Sequence, residues 1–380
     1  LTDLASAVVK YLKFMKKKIY LVGWTILIPV LAWLAYFAHY TMTGHLYSVL
    51  LSFFLIGSVL AAVYHSETIA YRVGEPYGTL LLAFAITVIE VSLIISIMLS
   101  AKGLETISLA RDTVFAAVMI ILTGIIGICI IVGSIRYKVQ VFTLQGVSTA
   151  MITLVAIVAF LFILPNYTIS HDNGEYTSFQ LIFISITCLA LYIGFTMVQT
   201  IRHRAYFVAP KPKDALETED QEILPEKPSL KVTMLSIVLL ILCLGIVVVL
   251  AKYLSKDVDA LVVGAGAPKS IVGIIIAGIV LLPEGIAAIR AAYNNRLQTS
   301  LNLAFGSALA SIGLSIPVVA IASVMGDFRM TLGINIKSTV LLGLSLFIIT
   351  ISLATGKTNI MQGFVLLSIF LLYLFTTLAP

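Results

Sequence analysis

Long apolar runs separated by short polar stretches organise this chain. The runs fall at residues 19–39, 46–70, 78–100, 114–135, 141–164 and 179–199, and then at 231–251, 260–289, 299–325, 334–354 and 360–378. Roughly 20 apolar residues at 1.5 Å rise are enough to cross a hydrocarbon core of about 30 Å, so each run predicts one membrane-spanning helix. The pattern predicts an all-α integral membrane protein with about eleven transmembrane helices. Two of the runs carry a carboxylate in their interior. Glu90 sits in GTLLLAFAITVIEVSLIISIMLS (78–100), and Glu284 sits in SIVGIIIAGIVLLPEGIAAI (270–289). An ionised side chain at that depth costs at least about 2–3 kcal/mol, so both acids are candidates for ion or proton handling.

The spacing of the runs predicts the organisation. A basic lead at 1–18, ending in Lys13, Lys16, Lys17 and Lys18, precedes a first transmembrane helix at 19–39. Set aside, that helix leaves ten spans. Glu90 lies in the second span of a first five-helix repeat (40–201), and Glu284 in the second span of a second repeat (231–380). An offset of five spans is odd, so the second copy crosses the membrane in the opposite sense, and inverted repeats place a substrate site near the midplane between the halves. Residues 202–230 form an acidic linker with Asp214, Glu217, Glu219, Asp220, Glu222 and Glu226 among prolines. It reads as a solvated cytoplasmic connector, the alternative being a cation-sensing regulatory strip.

Charge fixes the orientation. Of the 24 Lys and Arg, 17 fall in the lead and the even-numbered connections and 7 in the others. Cytoplasmic loops retain basic residues, so the N-terminus is predicted cytoplasmic and the C-terminus outside. The connection at 252–269, with Lys252, Lys256 and Lys269 offset by Asp257 and Asp259, is expected to be an outside loop. A hydrophobic content of 60%, charged content of 11% and mean hydropathy of +1.09 agree with a multi-pass membrane protein in contact with lipid. The net charge of +6 therefore reports topology and no nucleic-acid partner. Oligomerisation with further copies is left open. The sequence opens without Met, so further N-terminal residues are expected, and no cleavable signal is read.

The candidate chemistry gathers around the two acids. Thr87 lies three residues before Glu90, on the same helical face, and offers a hydroxyl oxygen. Pro283 withholds the N–H that the carbonyl of Ile279 would accept, and Gly285 follows Glu284, so a helix break with a usable carbonyl is expected there. Ser300, Ala304, Ser307 and Ser311 share one face of the next span. Ser307 is the favoured third ligand, and Gly306 is expected to permit close helix approach. Carboxylate, carbonyl and hydroxyl oxygens suit hard cations, so Glu90 and Glu284 are the candidate metal ligands. Glu67 and His65, with Arg72 nearby, read either as an interfacial cluster or as a gate or proton relay.

Other patterns are weaker. Cys129, Cys188 and Cys243 lie inside apolar runs without metal-ligand spacing. Val263–Ser270 lacks the second glycine of a phosphate loop, and HExxH and GxSxG are absent. Asn166-Tyr167-Thr168 is a sequon in an outside connection, His171, Asp172 and Glu175 read as a solvated loop, and Asn294, Asn295 and Arg296 read as a turn.

At Gly78–Glu90 and Gly273–Ser311 the chain resembles the cation/proton antiporters of the calcium:cation antiporter superfamily. The likeness is to its Ca2+/H+ antiporter (CAX) family and, within it, to the bacterial ChaA-type Na+(K+)/H+ and Ca2+/H+ antiporters. Gly78, Leu80, Leu81, Ala83 and Glu90 match the first repeat signature, and Ser66-Glu67-Thr68-Ile69-Ala70 resembles the motif upstream of it. Gly273, Leu282, Glu284 and Leu303–Ala308 match the second. The signature Gly-Asn is replaced by Ile86-Thr87 in the first repeat and by Val280-Leu281 in the second, which removes both amide ligands. The resemblance implies one leading helix plus two inverted repeats, no cofactor, and transported Ca2+, Na+ or K+ exchanged for H+. The expected function is a secondary antiporter exporting a cytoplasmic cation by alternating access, with the two glutamates alternately binding cation and proton. The alternative is a cation channel or passive pore with an acidic selectivity site. An enzyme is not expected, because no nucleophile–base pair or metal motif is present.

Overall fold

The computed structural model describes residues 23–38, 44–73, 87–88, 90–92, 94–95, 107–168, 174–208, 228–264, 268, 270–326 and 329–379. The basic lead, most of the predicted span at 78–100, the acidic stretch of the linker and His171 and Asp172 lie outside them. Among the described residues the chain is helical: α1 (Gly23–Phe37), α2 (His45–Val73), α3 (Leu109–Met119), α4 (Ile126–Tyr137), α5 (Leu144–Val158), α6 (Ser178–Met197), α7 (Leu230–Gly264), α8 (Ser270–Tyr293), α9 (Leu297–Ala310), α10 (Ile316–Met325), α11 (Ile336–Leu353) and α12 (Ile360–Leu378). Two-residue strands β1 (Gln140–Val141) and β2 (Lys357–Thr358) pair antiparallel. Eight of the described helical stretches are long and apolar enough to span a membrane, and a ninth arises if the bent α8 is counted as one span. The shorter apolar α1 lies within the first predicted span.

One expectation is corrected. The charged connection after residue 251 is not a loop: α7 continues to Gly264 and carries Lys252, Lys256, Asp257 and Asp259. No glycine or proline falls between residues 251 and 264, and the Lys, Leu and Ala there favour helix enough to offset Asp257 and Asp259, so the helix runs on past the apolar stretch.

Two long spans are built in two helical pieces joined by a wide π-turn. Residues Ile120–Ile125 join α3 to α4, and Ser311–Ser315 join α9 to α10. These are the third spans of the two predicted repeats. Further π-turns close α5 and α6, at Ala159–Ile163 and Val198–Arg202. π-turns of this kind recur at functional sites because they redirect side chains without ending the helix.

The chain divides into two compact units, each drawing on both predicted halves: Leu1–Ala85 with Pro212–Leu254, and Ile86–Lys211 with Ser255–Pro380. In the first, α1 packs on α2, where a Cβ at Gly57 would overlap Ile28 (2.7 Å). Trp33 Nε1 donates to the Leu242 carbonyl of α7 (3.2 Å), and its ring lies over Gly245. Arg72 donates to the Pro228 carbonyl (2.8 Å), tying the end of α2 to the approach of α7.

His65 takes part in the same packing. Pro29 sits inside α1 and has no N–H to offer the carbonyl of Thr25, four residues earlier. His65 Nε2 lies 3.3 Å from that oxygen, and the ring is fully buried. A carbonyl only accepts, so Nε2 carries the proton. We expect His65→Leu to cost about 0.5–1.5 kcal/mol, the usual net worth of one hydrogen bond. His65→Gln retains a donor and should recover part of that loss. Thermal unfolding in detergent reads both, and equal losses would show that the bond contributes nothing.

In the second unit, α4 crosses α12 at two facing glycines, Gly127 and Gly363, and α8 lies against α3, α4 and α9. The turn from α8 to α9 places Asn295 at φ 60°, a left-handed position that asparagine tolerates, and so bears out the predicted turn. Away from it, Asn166 Nδ2 donates to the Ile334 carbonyl (2.6 Å), and its Oδ1 lies where a Cβ on Gly333 would be. Gly174 meets Gly333 at the same point.

Candidate functional site

Four of the sequence-derived candidates meet within the second unit. Glu90 is 4% exposed, and its Oε2 accepts hydroxyl bonds from Ser311 (2.9 Å) and Ser315 (2.8 Å). Glu284 is half-buried, and its Oε2 accepts from Ser307. The two carboxyl groups are near enough to act on one another electrostatically. Thr87 is buried one helical turn before Glu90. One helical span therefore serves both acids: α9 contributes Ser307, and the π-turn that follows contributes Ser311 and Ser315. Residues four apart recur on one helical face, so the row is a direct product of the sequence spacing.

The break at Glu284 is also present. The segments Ile271–Leu282 and Glu284–Tyr293 meet at 54°, with Pro283 between them. Ile279 is half-buried one turn before the bend. Gly285 is buried against the other π-turn, where a Cβ would come 3.2 Å from Ile125 Cδ1. Among the described residues the close approach expected at Gly306 is not made. A Cβ there would meet no described atom within 4 Å, because the side of α9 that carries Gly306 is turned away from the packed row of Ser300, Ala304, Ser307 and Ser311.

Glu67 is half-buried on α2, two residues beyond His65, while Ser66 and Thr68 bond within their own helix (2.7 and 2.9 Å). Among the described residues no three His, Cys, Asp or Glu side chains cluster in a metal-binding arrangement. The donors around Glu90 and Glu284 are carboxylate and hydroxyl oxygens, which suit a hard cation passing through and offer nothing to soft metals. Each serine hydroxyl donates one hydrogen and keeps lone pairs, so it can hold a bare carboxylate and offer oxygen to a cation beside it.

Sequence reasoning stopped the serine row at Ser311. The missing member, Ser315, was signalled by the same spacing of four. It also left out Arg111 and Asp112, which line a cavity of about 210 Å3 with Asn335, Lys337 and Tyr373. Those charges are already engaged. Arg111 pairs with Asp112 (2.8 Å) and donates to the Gly333 carbonyl (2.8 Å), and Lys337 donates to the Thr376 carbonyl (2.6 Å). The cavity therefore does not compete with the carboxylate pair as a cation seat.

The chain has clear relatives among known proteins. The chain is 43% identical to the y4hA protein of Sinorhizobium fredii, over 86% of this chain and 87% of that one. It is 30% identical to the sodium-potassium/proton antiporter ChaA of Escherichia coli, over 86% and 87% of the two chains. Among solved structures, an H+/Ca2+ exchanger named CAX superposes with a TM-score of 0.69 at 18% identity, covering 95% of this chain and 89% of the other. Native YfkE gives 0.68 at 20% identity, over 94% and 100%. At such identities the two superpositions speak for the fold alone. The sequence profile of the sodium/calcium exchanger proteins matches residues 43–201 and 235–379, most of the chain. The chain therefore belongs to the sodium/calcium exchanger protein family.

Proposed function

We propose that this protein is a cation/proton antiporter of a bacterial inner membrane, exporting a cytoplasmic cation, Ca2+, Na+ or K+, in exchange for protons. Glu90 and Glu284 are the exchanging groups, Ser307 and Thr87 are accessory oxygen ligands, and the bend at Ile279, Pro283 and Gly285 leaves a carbonyl available to the passing ion. The observation that carries this reading is the single serine row bonded to both carboxylates, because it makes the two acids one electrostatic unit. Two negative charges in a region of low dielectric can be balanced by cation or by protons, but a bound cation on a fully protonated pair would leave excess buried positive charge. Exclusion of one by the other couples their fluxes. Alternating access of the two inverted repeats then carries each load across, with the N-terminus cytoplasmic and the C-terminus outside. The Escherichia coli relative, a sodium-potassium/proton antiporter, supports the same class.

His65 fastens α1 to α2 in this reading, and Glu67 remains the candidate gate. The test is an inverted vesicle loaded with a pH-sensitive dye under an imposed proton gradient. Addition of Ca2+, Na+ or K+ should release protons, with the preferred ion identified by competition. Cation flux that persists unchanged once the proton gradient is clamped would instead assign a channel.

A further inference from the structure

At the other end of α9 lies a closed ring of hydrogen bonds that the ion site does not use. The backbone N–H of Thr143, just ahead of α5, donates to Gln298 Oε1 (2.6 Å). Gln298 Nε2 donates to Asn302 Oδ1 (2.9 Å), and Asn302 Nδ2 donates to the Phe207 carbonyl (2.6 Å). Thr143 Oγ1 closes the ring on the Val208 carbonyl (3.1 Å). The amide orientations are fixed by the ends of the chain of bonds. A backbone N–H can only donate and a carbonyl can only accept, so neither Gln298 nor Asn302 can flip without facing like against like.

The ring pins a strap, residues Arg204–Val208, across the starts of α5 and α9. The strap is held on its other faces too. The Phe207 ring is buried edge-on against Phe195, with centroids 5.9 Å apart. The strap's backbone crosses α5 at Gly146, where any Cβ would overlap the Tyr206 carbonyl. Gln298 is 1% exposed, so its bonds are shielded from water, and a vacancy in the ring leaves a buried polar group unsatisfied. From Asn302 to Ser307 and Ser311 is five and nine residues, about 7.5 and 13.5 Å along a helix. α9 is unbroken from Leu297 to Ala310, so its height at Asn302 is transmitted to Ser307 and to the start of the π-turn.

We propose that Gln298 and Asn302 are positioning residues for ion exchange, setting the height of the serine row against Glu90 and Glu284 by anchoring α9 to the strap at 204–208. The inference rests on the exchange reading above. It makes the strap a specific determinant of how well the carboxylates hold a cation, separate from its share in stability.

The test uses full-length protein in inverted vesicles. Asn302→Asp keeps the shape but sets an acceptor against the Phe207 carbonyl. We expect KM for the transported cation to rise about tenfold with kcat changed less than about threefold. In a Ser307→Ala background, whose row is already broken, the same substitution should add less than about twofold, because coupled sites are not additive. Thr143→Val, which breaks the ring from the opposite side without burying a charge, should raise KM in the same direction. An unchanged KM with less folded transporter, or a full additive loss on Ser307→Ala, would reduce Asn302 to a stabilising contact and overturn the proposal. Wild-type vesicles that exchange no protons at all would instead end the exchange reading, so the two failures are distinguishable.

Discussion

Glu90→Gln should abolish exchange while the protein still folds. Glutamine has nearly the shape of glutamate, and its amide oxygen can still accept from Ser311 or Ser315, so the packing around a side chain only 4% exposed survives. What is lost is the charge. Removing one partner of a buried charge pair costs about 3–5 kcal/mol, which corresponds to a weakening of cation binding by more than about a hundredfold. The amide also cannot pick up and release a proton at physiological pH, so the return load has no carrier at this position. Dye-loaded vesicles should report no cation-driven proton release, and thermal unfolding should lie close to that of the parent. Ser315→Ala removes one of two donors and should only weaken exchange. Activity at the parental rate in Glu90→Gln would remove that acid from the mechanism.

The second large effect is on assembly. α4 and α12 cross with Gly127 facing Gly363, and a Cβ on Gly363 would come 2.7 Å from Ile131 Cγ1, 2.8 Å from the Gly127 carbonyl oxygen and 3.0 Å from the Ile131 amide. Two of these three obstacles are backbone, so the helices must separate to admit a methyl group. Overpacking of a tight interface costs about 1–3 kcal/mol, and membrane helices rely on such close approach because lipid offers no hydrophobic drive for their association. We expect Gly363→Ala to lower the unfolding midpoint in detergent and Gly363→Leu to leave little folded protein. At Gly343 a Cβ meets no described atom within 4 Å, and alanine there should be neutral or stabilising. Equal behaviour of Gly363→Ala and Gly343→Ala would contradict the crossing.

Most of the architecture was legible because bilayer thickness forces a length on every span and water-free surroundings force helix. Glu90 and Glu284 stood out for the same reason, as charges where charge is costly. The break at Pro283 followed from the missing N–H, and the serine row from a spacing of four. Three things were not legible. The extension of α7 to Gly264 lies beyond the apolar run, where neither burial nor a helix breaker marks an end. Gly306 was indistinguishable in sequence from Gly363, because a glycine does not say whether another helix stands opposite it. The ring at Gln298 and Asn302 joins residues up to 155 positions apart, and its polar members read as ordinary connection chemistry.

The π-turns have a bearing on how such sequences are compared. Each departs from α-helical winding by the equivalent of one residue, about 100° of rotation. A helical wheel drawn through 297–325 in one piece is therefore out of phase past Ser315 and blurs the inward stripe. Alignment of the two halves should be keyed on these widened turns, since a one-residue gap placed elsewhere would pair lipid-facing with inward-facing positions for the remainder of the span.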